Sequence, residues 1–379
     1  MYWIVAFFII AAACCAITIK NLVGYGEVRR LYKIAVSSVI IFGWFGATPL
    51  HLIKKYNILS DISYGNVSNF LYGMLAFVFI LFVCLMLRDI VWFVIFRILK
   101  LCGYASWEWD PNNEETLTKA NIAIVVLSSL ICIYAAYAAT KLPHVVEFNV
   151  VSDKITGNLK IVQLSDLHLN RSSSIDKVKK MVTRVNALTP DVIVLTGDII
   201  DDEIAKVKPF LEELRELSAP YGVYSVMGNQ EFKYNIYETK KAFDEHNMPL
   251  LFNGGIDIKM ANVFIAGVPD YNAMSERINL WRTIYKSQKE NYRVLLSHSP
   301  MIVDALSKDV FDMVLSGHTL GGQFFPFHWF VEKANHYLGG HYTINGIDLF
   351  VSRGIGTYGP QMRLLAPADI TVINLRTKN

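Results

Sequence analysis

The second half of this chain contains no cysteine. The sequence has 379 residues and only five cysteines, which are Cys14, Cys15, Cys84, Cys102 and Cys132. The lack of thiols beyond residue 132 excludes a disulfide framework, a thiolate metal site and a cysteine nucleophile from that part of the chain. Any metal or catalytic site there must be built from oxygen and nitrogen donors.

Charge is also scarce, and neither sign dominates. Charged residues make up 18% of the sequence, the net charge is +3, and the basic residues are scattered. A nucleic-acid surface needs a concentrated basic patch, so we do not expect nucleic acid as a partner. The sequence carries no indication of the oligomeric state.

Four stretches near the start of the chain lack charged residues altogether, and they raise the hydrophobic content to 53%. Each is close to the roughly 20 apolar residues that cross a bilayer as a helix. We therefore predict a membrane domain over residues 1–141 with about four transmembrane helices. The stretches are residues 1–19, 34–53, 62–87 and 120–140.

Two apolar stretches of this region have alternative interpretations. Residues 90–96 are apolar but short, and Arg88, Asp89 and Arg97 bracket them, which predicts an interfacial segment rather than a crossing. Residues 1–19 could alternatively be a signal peptide. They lack its positively charged start, and three more apolar stretches follow them, so we favour a membrane helix.

The positive charges that flank these stretches give a weak indication of orientation. With four crossings, eight lie on one side and five on the other, which places the C-terminal domain outside the cytoplasm. One extra crossing through residues 90–96 would reverse that orientation. The eight are Lys20, Arg29, Arg30, Lys33, Arg88, Arg97, Lys100 and Lys119, and the five are Lys54, Lys55, Lys141, Lys154 and Lys160.

From residue 142 onward, short apolar runs alternate with amphipathic segments, which predicts an α/β domain over residues 142–379. The segment 176–188 places Val178, Met181, Val182 and Val185 on one helical face, and Pro190 follows as a stop signal. A second helix is predicted over residues 204–217. The predicted strands are residues 145–151, 160–164, 191–195, 222–226, 262–266, 293–296 and 313–315.

Five of the predicted strands lead directly into metal-type donors. Taken singly, each donor has an ordinary explanation, such as a capping aspartate or a turn asparagine. Open α/β folds, however, build their sites at the carboxyl ends of strands, so together these residues predict one metal site. The donors are Asp166, His168, Asp198, Asn229, His298 and His318.

The chemistry of these donors predicts divalent cations. Oxygen and imidazole ligands without thiolates suit Mn, Fe, Zn or Mg better than a structural zinc site. Asp198 can give one carboxylate oxygen to each of two ions. Two ions about 3.5–4 Å apart can clamp a phosphate and generate a hydroxide for in-line attack. We predict two divalent ions, with Mn favoured and Fe, Zn or Mg as alternatives.

The motifs resemble the calcineurin-like metallophosphoesterases, whose pattern is D-x-H, G-D, G-N-H-[DE], a lone histidine and G-H-x-H. The match covers about residues 148–375 and implies a layered β-sheet core flanked by helices. GHTLGGQ and the tail over residues 342–360 further resemble the bacterial membrane-attached branch. By motif, the resemblance implies that Asp166 and His168 bind the first metal and that Asp198 bridges. Asn229, His298 and His318 would bind the second metal, with Asn229 also touching the phosphate.

Two residues depart from the family pattern. Gln230 stands where the family has the histidine that donates a proton to the leaving group, and Leu320 stands where a histidine ligates the first metal. The first site would therefore be held by fewer ligands and occupied more weakly. Four nearby residues are candidates for a substitute ligand, and they are Gln323, His328, His336 and His341.

The departures also bear on the substrate. A phosphate leaving group, with a second pKa near 6, departs as an anion without a proton donor, whereas an alkoxide does not. Gln230 therefore favours a phosphoanhydride, and membrane attachment favours a lipid-linked substrate. These features resemble the membrane-anchored type of UDP-2,3-diacylglucosamine pyrophosphohydrolase, which implies cleavage to UMP and lipid X in lipid A biosynthesis. Arg353 and Arg363 are weaker candidates for substrate anion contact.

That function implies a multi-pass protein of the bacterial inner membrane with its catalytic domain in the cytoplasm. Two alternatives stay open. One is a phospholipid or polyprenyl-phosphate phosphoesterase that acts outside the cytoplasm, as the flanking charges suggest. The other is a non-catalytic relative that binds a lipid phosphate or a partner, as the two missing histidines would permit.

Overall fold

The computed structural model of this chain describes residues 2–23, 30–103, 114–274, 277–307 and 309–378. Met1 and Arg29, which enter the predictions above, lie outside these ranges. The chain divides into two compact units. One comprises Met1–Tyr137 and Gly359–Gln361, and the other comprises Ala138–Tyr358 and Met362–Asn379.

The first unit is helical. Two of its helices, α4 and α5, are long and apolar enough to cross a membrane. At 1.5 Å per residue, the 41 residues of α4 rise about 60 Å, roughly twice the hydrocarbon thickness of a bilayer. The helices are α1 (Tyr2–Val23), α2 (Arg30–Phe45), α3 (Leu50–Lys55), α4 (Asp61–Leu101) and α5 (Glu114–Thr140).

Two predicted segments differ from the observed helices. The stretch 34–53 is interrupted, because α2 ends at Phe45 and a turn leads to Pro49, which cannot donate a backbone hydrogen bond within a helix. Residues 90–96 lie inside α4 instead of forming a separate segment. The charge of Arg88 does not end the helix, because its guanidinium is buried and bonded to Asp89 and to Asn21 at 2.6 Å.

Within the described residues of the second unit, eleven strands form two sheets. In the five-stranded sheet the order is β1-β11-β2-β3-β4, and β2, β3 and β4 run parallel. In the six-stranded sheet the order is β5-β6-β7-β8-β10-β9, and β6, β7, β8 and β10 run parallel. The strands are β1 (His144–Ser152), β2 (Leu159–Leu164), β3 (Val192–Thr196), β4 (Val223–Val226), β5 (Gly254–Ile258), β6 (Val263–Gly267), β7 (Tyr292–Leu296), β8 (Met313–Ser316), β9 (Gly340–Ile344), β10 (Ile347–Val351) and β11 (Asp369–Thr377).

Successive side chains of β2 and β3 enter different parts of the core, because neighbouring residues of a strand point to opposite faces. Ile161 and Val192 pack between the two sheets, whereas Val162 and Ile193 pack on the outer face of the five-stranded sheet. Both faces are buried, which explains why these strands are apolar throughout. The outer face is covered by α6 (Ile175–Ala187), α7 (Ile204–Leu214) and α8 (Ile236–Glu245).

The predicted α/β domain is confirmed, with sheets in layers and helices on the outside. The four residues predicted to form the inner face of α6 are all buried in the core, and they are Val178, Met181, Val182 and Val185. The described part of this unit also contains three short α-helices. They are α9 (Tyr271–Met274), α10 (Leu280–Ile284) and α11 (His328–Asn335).

Candidate metal centre

The loops after β2 and β3 run side by side and bring the first predicted donors together. The N–H of Asp166 donates to the carbonyl of Gly197 at 3.0 Å, and the N–H of His168 donates to the carbonyl of Asp198 at 2.9 Å. These bonds extend the pairing of the two strands past their ends. Residues separated by about thirty positions in the chain therefore become neighbours.

Asp166, His168 and Asp198 form the first group of donors, and their ligand atoms all lie within 4.8 Å of one another. His168 Nε2 is 3.9 Å from an Asp166 oxygen and 3.8 Å from an Asp198 oxygen. Nδ1 of His168 is buried without a partner among the described residues. This spacing, with all three side chains buried, can hold one cation.

Asp198, His298 and His318 form the second group, again within 4.8 Å. His298 Nε2 is 3.3 Å from an Asp198 oxygen and 3.1 Å from His318 Nδ1. His298 Nδ1 donates to the carbonyl of Thr196 at 2.8 Å, which directs Nε2 toward the other two donors. Metal-ligating histidines are commonly oriented by such a bond from the opposite ring nitrogen.

Asp198 belongs to both groups, which is the position that a bridging carboxylate requires. Asn229 follows β4 at the same edge of the sheet. Its side-chain oxygen is buried and has no hydrogen-bond partner among the described residues. A buried polar atom without a partner is unfavourable, so this oxygen is suited to a ligand that the structure does not contain. The donor set therefore fits two divalent cations.

Four of these donors have backbone conformations that residues other than glycine seldom adopt. The φ angles are +52° at Asp166, +48° at His168, +50° at Asp198 and +74° at His318. Such conformations cost free energy and persist only where the surrounding structure imposes them, commonly at functional sites. Their concentration in one loop cluster agrees with a functional site.

Two glycines allow the loops to approach one another. A Cβ at Gly228 would collide with the Asp198 carboxylate, and a Cβ at Gly317 would collide with the side chains of Ser165 and Asp166. The glycines of the G-N and G-H motifs are thus required by close packing around the two aspartates.

Glu231 fixes the positions of the loops after β3 and β4. Its fully buried carboxylate accepts four backbone hydrogen bonds, which come from the N–H groups of Asp198, Ile199, Ile200 and Gly228 at 2.6–3.0 Å. The N–H of Gln230 donates in addition to the Asp198 carboxylate at 2.8 Å. Glu231 is therefore a positioning residue for the shared aspartate.

Burial and charge set the protonation of Asp166, His168 and His318. Burial raises the pKa of Asp166 to about 6, with the neighbouring Asp198 adding to the rise and His298 opposing it. Burial lowers the pKa of His168 to about 4, and likewise that of His318 to about 4. Both imidazoles are therefore neutral at pH 7, which is the form that ligates a metal.

The pKa values of Asp198 and His298 shift in opposite directions. Burial disfavours the charge of Asp198, but the rings of His298 and His168 outweigh it and hold the pKa well below the usual value. Burial also disfavours a charged His298, yet the carboxylates of Asp198, Asp166 and Asp270 hold its pKa well above the usual value. The same concentration of negative charge attracts divalent cations.

Leu320 occupies the position of the missing ligand. It is buried, has a φ of +51°, and lies against Gly354, where a Cβ would be 2.9 Å from the leucine Cδ2. Its side chain offers no donor atom, so the first group keeps three donors.

None of the predicted substitutes joins either group of donors. His336 Nδ1 is 2.7 Å from Asp304, and His341 Nε2 is 2.9 Å from Asp348. His328 is near Phe325 and is absent from both groups. The amide oxygen of Gln323 accepts from the N–H of Tyr358, and its nitrogen donates to the carbonyl of the same residue. The hypothesis of a substitute ligand among these four residues is therefore not supported.

The two arginines suggested for anion contact differ in their surroundings. Arg363 is 2% exposed and donates to the carbonyls of Leu320, Arg353, Gly354, Gly356 and Ala366. Its guanidinium binds the loop around Gly354, which packs on Asp166. Arg363 therefore has a structural role here, and not the substrate contact that was predicted.

Arg353 keeps a partly exposed side chain, with Nη1 3.9 Å from an oxygen of Asp369. Its contact with a substrate anion stays a prediction.

Sequence reasoning missed several residues beside the centre. Asp270 lies just after β6 and has a buried carboxylate with one oxygen lacking a partner among the described residues. The side-chain nitrogen of Asn272 is 3.3 Å from His318 Nε2. The ring of Tyr358 lies 5.4 Å from the ring of His168. Asp270 could have been found from the sequence, because it lies close after the predicted strand at residues 262–266, whereas Tyr358 has no such signal.

Comparison with known proteins gives consistent results. The family model for calcineurin-like phosphoesterases matches residues 159–322. An uncharacterized metallophosphoesterase of Campylobacter jejuni is 30% identical over 355 residues, which cover 92% of this chain and 91% of the relative. One of Helicobacter pylori is 32% identical over 248 residues, covering 64% of this chain and 66% of the relative.

A third relative, from Danio rerio, is described as a transmembrane protein with metallophosphoesterase domain. It is 27% identical over 282 residues, which cover 68% of this chain and 63% of the relative. The similarity thus includes a protein described as combining a transmembrane region with a metallophosphoesterase domain.

Proposed function

Since the chain belongs to the calcineurin-like metallophosphoesterases, which are metal-dependent phosphoester hydrolases, we propose that it cleaves a phosphoanhydride bond in a lipid-linked substrate. In this proposal Asp166 and His168 hold the first divalent ion, and Asp198 bridges to the second. Asn229, His298 and His318 hold the second ion. When bound, the ions would supply Lewis acidity and an activated water.

The observation that supports a phosphoanhydride is the side chain of Gln230. An amide cannot donate a proton to a leaving group at neutral pH, and this amide oxygen already accepts a hydrogen bond from Lys233 at 2.5 Å. Loss of a general acid costs about 10²-fold or more when the leaving group is an alkoxide. A phosphate leaves as an anion and does not need that proton.

The membrane-spanning lengths of α4 and α5 support a lipid-linked substrate. A substrate that combines a lipid with a phosphoanhydride is UDP-2,3-diacylglucosamine, which would be cleaved to UMP and lipid X. This assignment would make the protein a multi-pass enzyme of the bacterial inner membrane, active on the cytoplasmic side where nucleotide sugars are made. Mn is the ion that we favour for both sites.

A second candidate rests on the flanking charges. Their division, eight against five, favours a catalytic domain outside the cytoplasm. On that side the substrate would be a phospholipid or a polyprenyl phosphate. A reporter enzyme that is active only in the cytoplasm, fused after residue 379, would distinguish the two sides: activity supports the first candidate and inactivity supports the second.

The catalytic proposal is tested by product analysis. Purified full-length protein loaded with Mn²⁺ should release UMP from UDP-2,3-diacylglucosamine, and the Asp166→Asn variant should not. Release of uridine nucleotide by neither protein, with Mn²⁺, Zn²⁺ or Mg²⁺, would contradict the substrate. If the wild type also binds no metal, the protein is a non-catalytic relative that binds lipid phosphate or a partner.

A further inference from the structure

Lys233 places a positive charge beside the metal centre. It ends the short 3₁₀ turn Glu231–Lys233, and its ammonium donates to the side-chain oxygen of Gln230 at 2.5 Å. The same ammonium lies over the ring of Tyr358, 5.6 Å from its centroid. An exposed lysine normally samples many rotamers, so these two contacts restrict it to one side of the turn.

The two contacts of the Lys233 ammonium are with neutral groups. Among the residues that the structure describes, Lys233 forms no ion pair with a carboxylate, and its two contacts are with the neutral side chains of Gln230 and Tyr358. An ammonium has three N–H donors, and the bond to Gln230 occupies one of them. The side chain is exposed, so an anion in solution can reach the other two.

Two sets of contacts fix the position of Lys233 relative to the metal centre. Glu231, two residues earlier, is anchored by four backbone N–H groups of the loops that carry Asp198 and Asn229. Tyr358 packs against the ring of His168, with 5.4 Å between centroids. The ammonium therefore lies beside the first group of donors without belonging to it.

We propose that Lys233, oriented by Gln230 and Tyr358, forms a subsite for the leaving phosphate of a diphosphate substrate. The inference rests on the proposed function and names the residue that recognises the second phosphate. A compact ammonium is suited to phosphate oxygens as a point charge. Gln230 then has a role of its own, because its amide oxygen holds the lysine in place.

The reaction balances without a proton donor. The oxygen of water bonds to one phosphorus, and the bond from that phosphorus to the bridging oxygen breaks. The bridging oxygen keeps the electron pair and carries the new negative charge on the leaving phosphate. The two protons of water pass to solvent once both product phosphates are ionised. The Lys233 ammonium attracts the charge that develops on the leaving phosphate.

The subsite is tested by calorimetric binding of inorganic pyrophosphate and orthophosphate to full-length, Mn²⁺-loaded protein. A hydrogen bond to a charged group contributes about 1.5–3 kcal/mol, which corresponds to about 10- to 100-fold in affinity. Lys233→Met should weaken pyrophosphate binding by about that factor and orthophosphate binding by less than about 3-fold. Lys233→Arg should retain most of the pyrophosphate affinity, because it keeps the charge.

Lys240→Met is the matched control, because Lys240 is an exposed lysine of α8 that pairs with Asp244 at 2.6 Å. It should bind both ligands like the wild type. The proposal is overturned if Lys233→Met weakens both ligands equally or neither. Bound metal, measured in the same samples, must be unchanged in Lys233→Met, since its loss would indicate a structural role.

Failure of the subsite and failure of the proposed function give different results. If pyrophosphate selectivity depends on Lys233 but the uridine lipid is not hydrolysed, the subsite stands and the substrate is wrong. If the uridine lipid is hydrolysed and Lys233→Met leaves pyrophosphate affinity and kcat/KM unchanged, the function stands and the subsite is wrong.

Discussion

Asp198 is the residue on which both groups of donors depend. One of its oxygens lies 3.3 Å from His298 and 3.8 Å from His168, while the other accepts the N–H of Gln230. Its φ of +50° and the collision that a Cβ at Gly228 would cause show that the surrounding loops are built around its carboxylate. Residues that contribute to one group alone should therefore be less critical than Asp198.

Asp198→Ala should remove metal from both sites and lower hydrolysis by at least about 100-fold, since even the loss of an outer-shell partner of a metal costs about 10- to 100-fold. Bound metal is measured by elemental analysis of the purified variant. Asp348→Ala is the matched control, because Asp348 pairs with His341 outside both groups. Retention of two ions per chain by Asp198→Ala would contradict a shared ligand.

Leu320→His should tighten metal binding without increasing turnover. Histidine adopts positive φ more readily than leucine, so the angle of +51° at this position should be less strained. A new ligand should increase the affinity of the first site for its metal by about 10-fold or more, because even the loss of an outer-shell partner changes metal affinity by about that factor. Chelator competition measures the affinity. A rise in turnover would mean that metal occupancy, and not Gln230, limits the reaction.

At the scale of elements, the site is built at the carboxyl ends of parallel strands from both sheets. The strands β2, β3 and β4 deliver donors from one sheet, and β7 and β8 deliver donors from the other. Glu231 joins the loops after β3 and β4, because its carboxylate accepts backbone N–H groups from both. This side chain therefore connects the loops that follow β3 and β4.

Glu231→Gln should destabilise the catalytic unit and weaken metal binding. Gln replaces one acceptor oxygen with an N–H₂ group that faces backbone N–H donors, so at least one bond is lost and a repulsion is introduced. We expect the free energy of unfolding to fall by about 2–4 kcal/mol, measured by denaturant titration in detergent. Glu245→Gln, at an exposed i, i+4 pair with Lys241, should change it little. Equal stability of the two variants would refute this role.

At the scale of the whole molecule, the chain combines two units of different solvent preference. The helices α4 and α5 are apolar enough to cross a membrane, whereas the second unit buries its apolar residues between two sheets and under helices. The relative from Danio rerio is described with the same combination. Under the proposed function, attachment to the membrane would bring the enzyme to a lipid-linked substrate.

The full chain should behave as an integral membrane protein. It should stay in the membrane pellet after washes with high salt and with alkaline carbonate, and detergent should release it, because α4 and α5 are long and apolar enough to be stable only in lipid. Immunoblotting of the fractions measures this. Release by salt alone would mean that the protein is held at the membrane surface by charge.

The sequence by itself determined the local features of this protein. The apolar periodicity of α6, the apolar runs of β2 and β3, and the donors at five strand ends were all readable, because each depends on neighbouring residues. The departures at Gln230 and Leu320 were readable for the same reason. That each donor lies beyond the carboxyl end of its strand could be inferred from the general behaviour of parallel strands.

Only the tertiary structure decided which groups the polar side chains meet. Arg363 was expected to meet an anion and instead donates to five carbonyls, and Glu231, which had no predicted role, accepts four N–H groups. Lys233 meets Gln230 and Tyr358, a residue more than a hundred positions away. Such partners come from loops that are distant in the chain, and a polar side chain takes whichever donors or acceptors the fold places beside it.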